Sequence, residues 1–266
     1  VDPSMGFDTH PHKNMEVISI PLKGYLRHGD SVQNTKTITP GDIQVMSTGS
    51  GIYHSEYNDS DEEQLEFLQI WVFPRIENTK PEYNNFDIRP LLKPNELSLI
   101  ISPNGKTPAS IKQDAWFSMG DFDTERSIEY CMHQEGNGAY LFVIEGEISV
   151  ADEHLAKRDG IGIWDTKSFS IRATKGTKLL VMEVPMFGNV FIVSIRLIQR
   201  TSLIIQQYIE RLCISTKLHT LQIAPLITDC TQSTFLAVLY DFHRFGQRSF
   251  IIHIQSNQHI IIINQI

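Results

Sequence analysis

Short runs of apolar residues, separated by turn residues, fill the first 185 positions of this 266-residue chain. Examples are EVISIPL at 16–22, DIQVM at 42–46 and LEFLQIWVF at 65–73. A second series, which includes LSLIIS, AYLFVIEGEISV and KLLVMEVP, begins at residue 97. Apolar runs of this length between glycine-containing turns are typical of β-strands. The pattern predicts an all-β protein with two related barrels or sandwiches in tandem, although no exact sequence repeat is present.

Four prolines lie between the two series, at Pro74, Pro81, Pro90 and Pro94. Proline fixes φ and lacks a backbone N–H, so this stretch excludes a long helix or a central strand and indicates a linker. The predicted division is a first module at 1–80, a linker at 81–98, a second module at 99–186 and an extension of unknown structure at 187–266.

The extension has a composition of its own, with 17 isoleucines, two glycines, and three acidic residues against six basic ones. Ser202 to Cys213 places its apolar residues on one helical face and predicts an amphipathic helix. The final run, from Phe250 onward, has β character. Two interpretations stay open, a docking or oligomerisation segment and an accessory or misread C-terminus without a catalytic part; we favour the second.

Charge and cysteine content exclude several classes of function. The net charge of -8 argues against nonspecific binding to nucleic acid or to anionic lipid, which requires a basic excess. The three cysteines, Cys131, Cys213 and Cys230, form no CxxC pair, so neither a disulfide scaffold nor a thiolate metal site is indicated. No apolar run approaches the roughly 20 residues that span a bilayer, and the N-terminus lacks signal-peptide features. We expect a cytoplasmic protein that contacts no membrane.

Two short pairs carry the candidate chemistry, His10 with His12 and His54 with Glu56. Residues two apart on a strand point to the same face, so two such strands side by side would gather four metal-binding side chains. Three imidazoles and a carboxylate with open positions favour a redox-capable or Lewis-acidic divalent metal. Iron(II) is the first choice, with copper, nickel, zinc, manganese and cobalt as alternatives.

The order of these motifs, with glycine and Pro-Gly turns between the pairs, resembles the two motifs of the cupin superfamily. More closely, THPHKNME, the PGD turn, QVMSTGSGIYHSEYN and LQIWVFP together resemble the pirin family, whose bicupins include bacterial quercetin 2,3-dioxygenases. The resemblance covers about residues 6 to 185. It implies two tandem cupin barrels (double-stranded β-helices), the first holding metal and truncated at its N-terminus, the second metal-free. The extension has no counterpart in the family.

Carried over residue by residue, the resemblance implies that the metal is held by His10, His12, His54 and Glu56. Glu16 is a competitor for the carboxylate position, because in other cupins the glutamate of the first motif is the ligand. Its parity also matches that of the two histidines before it. We expect Glu56 to be the ligand, with Glu16 as a polar strand residue or a partner of the ligands.

Other histidines are interpreted more simply. His28 and Asp30 share a strand face, and we expect a histidine satisfied by the aspartate; a role beside the metal or in lining the pocket is the alternative. His133 and His154 have no partner at ligand spacing, which agrees with a metal-free second module. Three aromatic residues of that module are expected in the core: Tyr140, Phe142 and Trp164.

The resemblance implies a dioxygenase that cleaves a flavonol with O2 to a depside and carbon monoxide. Glu56 would then also act as a base that accepts the proton of the flavonol hydroxyl. The second hypothesis is a non-enzymatic, iron-binding regulator that acts on a partner protein, since fold and ligands alone do not separate the two.

Overall fold

The computed structural model describes residues 1–103 and 105–186, together with four strands beyond them. The strands up to residue 103 are β1 (Gly6–His12), β2 (Glu16–Lys23), β3 (Leu26–Asp30), β4 (Thr35–Ile38), β5 (Asp42–Ser47), β6 (Ile52–Asn58), β7 (Glu66–Val72), β8 (Glu82–Asp87) and β9 (Leu97–Ile101). Those of the next part are β10 (Trp116–Phe122), β11 (Arg126–Cys131), β12 (Asn137–Glu145), β13 (Ile148–Val150), β14 (Glu153–Leu155), β15 (Gly160–Ile163), β16 (Ser168–Ala173) and β17 (Thr177–Pro185).

The remaining strands are β18 (Val190–Leu197), β19 (Leu236–Tyr240), β20 (Ser249–Ile254) and β21 (His259–Asn264). In the described residues the one helical element is a 3-10 turn at Arg89–Leu91. The prediction of an all-β chain is therefore confirmed. No helix in this part of the chain is long and apolar enough to cross a membrane.

Both halves use the same strand order. In the first barrel, one sheet has the order β1-β6-β3-β4 and the facing sheet contains β7-β2-β5. In the second barrel the corresponding orders are β11-β16-β13-β14 and β17-β12-β15. The β2–β3 and β12–β13 connections, which pass from one sheet of each barrel to the other, turn at Gly24 and Gly146. Both glycines have positive φ, which glycine adopts without steric cost. The predicted pair of tandem cupin barrels is confirmed.

The two barrels share much of their core. The largest hydrophobic cluster contains buried side chains from both, such as Ile18 and Ile70 of the first and Phe117 and Leu141 of the second. Burial of one such side chain stabilises the fold by about 1.5–3 kcal/mol relative to leaving it exposed. The three aromatic residues predicted in the core lie there: Tyr140 and Phe142 are buried and Trp164 packs against the cluster.

Two stretches outside the shared pattern extend the sheet of the first barrel. Residues 82–87, within the predicted linker, form β8, which pairs with β5 at the sheet edge. At the other side β18, from the extension, pairs with β7 and with β19. The β character expected near the C-terminus is confirmed by the β20–β21 pair, whereas the helix predicted at 202–213 lies outside the described residues.

Candidate metal centre

Strands β1 and β6 bring the two sequence pairs together. They run antiparallel with His10 opposite His54, so the imidazoles of one strand face that of the other. Gly6 permits this close approach near the start of β1, because a Cβ there would clash with the backbone of Glu56 and Tyr57. The strand parity used in the sequence prediction therefore holds on both strands.

His10, His12 and His54 form a compact group. One ligand nitrogen from each lies within 4.8 Å of the others. The ring centroids are 5.0 Å apart for His10 and His12, 4.4 Å for His10 and His54, and 4.9 Å for His12 and His54. Three imidazoles at these separations match the spacing that a single metal ion needs for its ligands.

Ring nitrogens of His10 and His54 are free of hydrogen bonds in the described part of the chain, as metal ligands need to be. Nδ1 of His10 donates to the carbonyl oxygen of Asp8 at 2.7 Å, which leaves the lone pair of Nε2 on the side of the group. That Nε2 and both ring nitrogens of His54 are buried without a hydrogen-bond partner among the described residues. Unsatisfied buried nitrogens are costly in a folded protein. A bound cation would satisfy Nε2 of His10 and one ring nitrogen of His54, so the residues present fit a metal.

The protonation state of His54 agrees with this. Burial, and to a smaller degree the neighbouring His10, His12 and His28, lower its pKa from 6.5 to about 2. The ring is therefore neutral at any physiological pH. Neutral imidazole is the form that binds a metal.

Glu56 is buried but stands to one side of the three imidazoles. Its carboxylate groups with His28 and His54, within the same 4.8 Å limit, and not with His10 and His12. Oε1 accepts a hydrogen bond from Ser19 Oγ at 3.1 Å, and Oε2 accepts one from Nε2 of Gln69. These donors fix the orientation of the carboxylate beside the group.

His28 approaches the site through the pairing of β3 with β6. Its Nε2 donates to Asp30 at 3.0 Å, as the sequence predicted, and Nδ1 accepts from Gln44 at 3.4 Å. Burial lowers the pKa of His28 despite the aspartate, so the ring is neutral and both nitrogens are used. The ring also stacks on Tyr83, with centroids 4.2 Å apart, and lies 5.4 Å from His54. His28 therefore forms a wall beside the ligands.

Glu16, the competing carboxylate, belongs to neither cluster of potential ligands in the described chain. It accepts hydrogen bonds from Ser47 Oγ at 2.6 Å and from the backbone N–H of Lys112, in the second half of the chain, at 3.1 Å. Burial raises its pKa. Its hydrogen bonds tie the first barrel to the second.

Three residues missed by the sequence prediction complete the surroundings. Gln69 bridges Glu56 to Trp71, whose Nε1 donates to Gln69 Oε1 at 3.1 Å. The Trp71 ring lies 5.1 Å from that of His12. The signal for Ser19 and Gln69 is a single polar residue inside an otherwise buried apolar run, since an isolated polar group there needs a partner.

In the second barrel, His133 and His154 belong to no metal-binding cluster among the described residues. Nδ1 of His133 donates to the buried carboxylate of Glu183 at 2.7 Å. His154 is largely exposed, 3.5 Å from Glu147.

Two cupin barrels in tandem, with three imidazoles and a carboxylate in the first, define a bicupin. The chain belongs to the pirin family. The family pattern described as Pirin matches residues 1–72, and the one described as Quercetinase C-terminal cupin domain matches residues 99–184.

Named relatives are bacterial. Quercetin 2,3-dioxygenase from Escherichia coli strain K12 is 30% identical over 190 residues, 70% of this chain and 79% of that protein. The crystal structure of the bacterial pirin YhhW from Escherichia coli in complex with nickel(II) matches with a TM-score of 0.65 and 28% identity, covering 70% of this chain and 79% of that one. A quercetin 2,3-dioxygenase structure from Acinetobacter baumannii, 16% identical with a TM-score of 0.63, covers 80% of this chain and 74% of its own and shares the fold.

Proposed function

We propose that this protein is a metal-dependent dioxygenase of the quercetin 2,3-dioxygenase type. In this reaction a flavonol and O2 give a depside and carbon monoxide. The observation that carries the proposal is the group of three imidazoles in the first barrel, with buried unsatisfied nitrogens on His10 and His54. The 30% identity to a relative with this name supports the choice of reaction.

In the proposed site His10, His12, His54 and Glu56 would hold the metal. A divalent transition metal bound there would supply a Lewis-acidic centre for the flavonol oxygen and for dioxygen. Glu56 accepts the proton of the flavonol hydroxyl. Ser19 and Gln69 keep its carboxylate in one orientation for that step.

His28 and Tyr83 shape the surroundings of the ligands. His28 is fully buried and its ring stacks on that of Tyr83, which fixes this side of the site. Burial raises the pKa of Tyr83 to about 12, so its hydroxyl stays protonated and donates to Gln44 at 3.1 Å. This network holds the wall in place and brings no charge to the substrate.

Iron(II) is the proposed metal, because imidazole and carboxylate donors with open positions suit it and dioxygen chemistry uses it. The same donors suit nickel, which the related YhhW structure holds. Apoprotein reloaded separately with Fe(II), Ni(II), Cu(II), Mn(II), Co(II) and Zn(II) tests this choice. We expect the highest rate with Fe(II); a higher rate with another ion replaces the assignment.

The test of the reaction is aerobic incubation of the metal-loaded protein with quercetin. We expect loss of the flavonol absorbance and release of one carbon monoxide per flavonol consumed. Compared at equal metal occupancy, the Glu56→Gln variant should lose most of the rate, because the amide cannot accept the proton. Metal-loaded protein without turnover would instead support the iron-binding regulator, and an iron-dependent interaction with a partner protein would then be sought.

We also propose that the matched regions define the modules, with the first at 1–80 and the second at 99–186, joined by 81–98. The family matches at 1–72 and 99–184 support this division. The extension at 187–266 has no proposed catalytic part.

A further inference from the structure

The second barrel contains a cleft that the proposed reaction does not use. It has a volume of about 500 Å³ and opens between β9, β10 and β11. Leu97, Leu99 and Ile128 form an apolar wall, and the other lining side chains are mostly polar or charged, among them Glu96, Ser118, Arg126, Glu129 and His133. A concave surface that combines apolar contacts with polar groups is the usual form of a small-molecule site.

A buried carboxylate lies behind the cleft. Glu183 is fully buried, and its carboxylate accepts hydrogen bonds from Tyr130 Oη at 2.9 Å, from Asn137 Nδ2 at 2.7 Å and from the backbone N–H groups of His133 and Gln134. Burial alone would raise the pKa of Glu183, but the hydrogen bonds from His133, Asn137 and Tyr130 outweigh it and lower the pKa. Glu183 is therefore an ionised, well-satisfied carboxylate.

His133 connects this carboxylate to the cleft. Its Nδ1 donates to Glu183 at 2.7 Å, so Nε2 is the ring nitrogen left for a further partner. The ring stacks on Trp116, with centroids 5.1 Å apart and an interplanar angle of 7°. Stacking and the Nδ1 hydrogen bond fix the ring, while its side chain stays 33% exposed. Nε2 makes no hydrogen bond to the described residues and remains for a ligand.

The arrangement favours an acidic oxygen. An imidazole whose Nδ1 is bonded to a carboxylate pairs with an acidic oxygen through Nε2, since that nitrogen accepts from a hydroxyl when unprotonated and donates to an oxyanion when protonated. Leu97, Leu99 and Ile128 provide apolar contacts for a ring. Glu183 already has four other donors, so its burial does not require the imidazole.

We propose that this cleft is a second binding site, which takes a small aromatic compound with an acidic hydroxyl or carboxyl group, the acidic oxygen on Nε2 of His133 and the ring on the apolar wall. The site stands apart from the imidazole group of the first barrel and does not rest on the proposed reaction.

The test is calorimetric titration of the full chain with 3,4-dihydroxybenzoate. His133→Phe keeps the ring and removes the acceptor, and we expect roughly tenfold weaker binding or more, as for loss of a hydrogen bond to a charged group. Ile128→Trp fills the cleft without touching Glu183 and should abolish binding. His154→Phe, which changes an exposed histidine outside the cleft, should bind as the wild type does. Thermal unfolding checks that each variant is folded; if His133→Phe is not, Ile128→Trp decides alone.

Two further arms separate this site from the first barrel. His54→Ala should bind 3,4-dihydroxybenzoate as the wild type does, and methyl 3,4-dimethoxybenzoate, which has the ring but no acidic group, should bind at least tenfold more weakly. Unchanged affinity in folded Ile128→Trp overturns the proposal. So does loss of binding in His54→Ala, which would place the probe in the first barrel, and so does absence of binding to the wild type at millimolar concentration.

Discussion

The two barrels have the same strand order and opposite interior chemistry. They can be aligned at the β2–β3 and β12–β13 connections, where Gly24 and Leu26 of the first barrel correspond to Gly146 and Ile148 of the second. Leu26 pairs with Asn58 on β6, and Ile148 pairs in the same way with Ala173 on β16. Each barrel also has a register shift just before this glycine, between Pro21 and Lys23 in the β2–β7 pair and between Val143 and Glu145 in the β12–β17 pair.

This alignment pairs six polar residues of the candidate site with residues of the second barrel. The pairs are His10 and Tyr130, Ser19 and Leu141, His28 and Val150, His54 and Phe169, Glu56 and Ile171, and Gln69 and Val181. Five of the six second-barrel residues are aliphatic or phenylalanine, and the sixth is a tyrosine. The fold is therefore compatible with apolar side chains at these positions. Buried polar groups are costly, so their concentration in one barrel indicates a function and not a requirement of the fold.

The largest expected effect comes from making the first barrel resemble the second at one ligand. His54→Phe, or the smaller His54→Ala, removes a nitrogen that no neighbour replaces. We expect metal affinity to fall by more than the roughly 10–100-fold that loss of a supporting hydrogen bond costs. Competition with a chelator measures it. The reciprocal Phe169→His should gain no metal, since the residue opposite it is Tyr130, where the first barrel has His10; metal gained there would break the comparison.

Truncation should lower the free energy of unfolding more in the second barrel than at the corresponding position of the candidate site. Leu141→Ala in the second barrel removes a fully buried side chain and should lower the free energy of unfolding by about 2–5 kcal/mol. Ser19→Ala at the corresponding position loses one hydrogen bond and should cost only about 1 kcal/mol. Urea denaturation of metal-free protein compares the two. An equal loss of stability for both would show that Ser19 serves the fold.

The hydrogen bond from Gln69 to Glu56 provides a further test of the difference between the two barrels. Gln69→Val introduces the second-barrel residue and removes one donor to Glu56. We expect metal affinity about 10–100-fold weaker with the chain still folded, measured by the same chelator competition. Gln64→Val, at an exposed position whose amide contacts Asp2, is the matched control and should bind metal normally. Equal affinities for both variants would contradict the role of Gln69.

The smallest effect is acid sensitivity of the metal-free protein. The folded pKa of His54 is lowered to about 2 from 6.5, so the unfolded chain binds a proton that the folded site refuses. Stability is therefore lost as pH falls below 6.5, by about 1.4 kcal/mol at pH 5.5. His54→Phe should lack this loss, and His154→Phe should retain it. Urea midpoints between pH 7 and 5.5 that are parallel in His54→Phe and wild type would contradict the prediction.

The candidate site was accessible from the sequence where it depends on strand parity alone. His10 with His12, and His54 with Glu56, each follow from a period of two on one strand. His28 was harder, because its approach to His54 depends on the register of β3 against β6, a pairing of residues far apart in sequence. Gln69 could not be found from strand parity either, because it lies on β7 and bonds to Glu56 on β6 of the facing sheet.

The fold was predictable at the level of class and duplication, since both series of strands have turns at similar spacing. Strand β8 was assigned to a linker because the prolines around it carried more weight than its short run, EYNNFD. Proline is compatible with the ends of an edge strand, where the missing donor faces outward. The cleft of the second barrel has no local signature, because its lining comes from three strands and the loop after β11.

Anomalous diffraction from a crystal of metal-loaded protein, recorded at the absorption edge of the bound metal, tests the central claim most directly. We predict one peak per chain in the first barrel, bounded by His10, His12 and His54, and none beside Phe169 in the second. A peak outside that group of imidazoles, or none in protein shown to contain metal, would contradict the account.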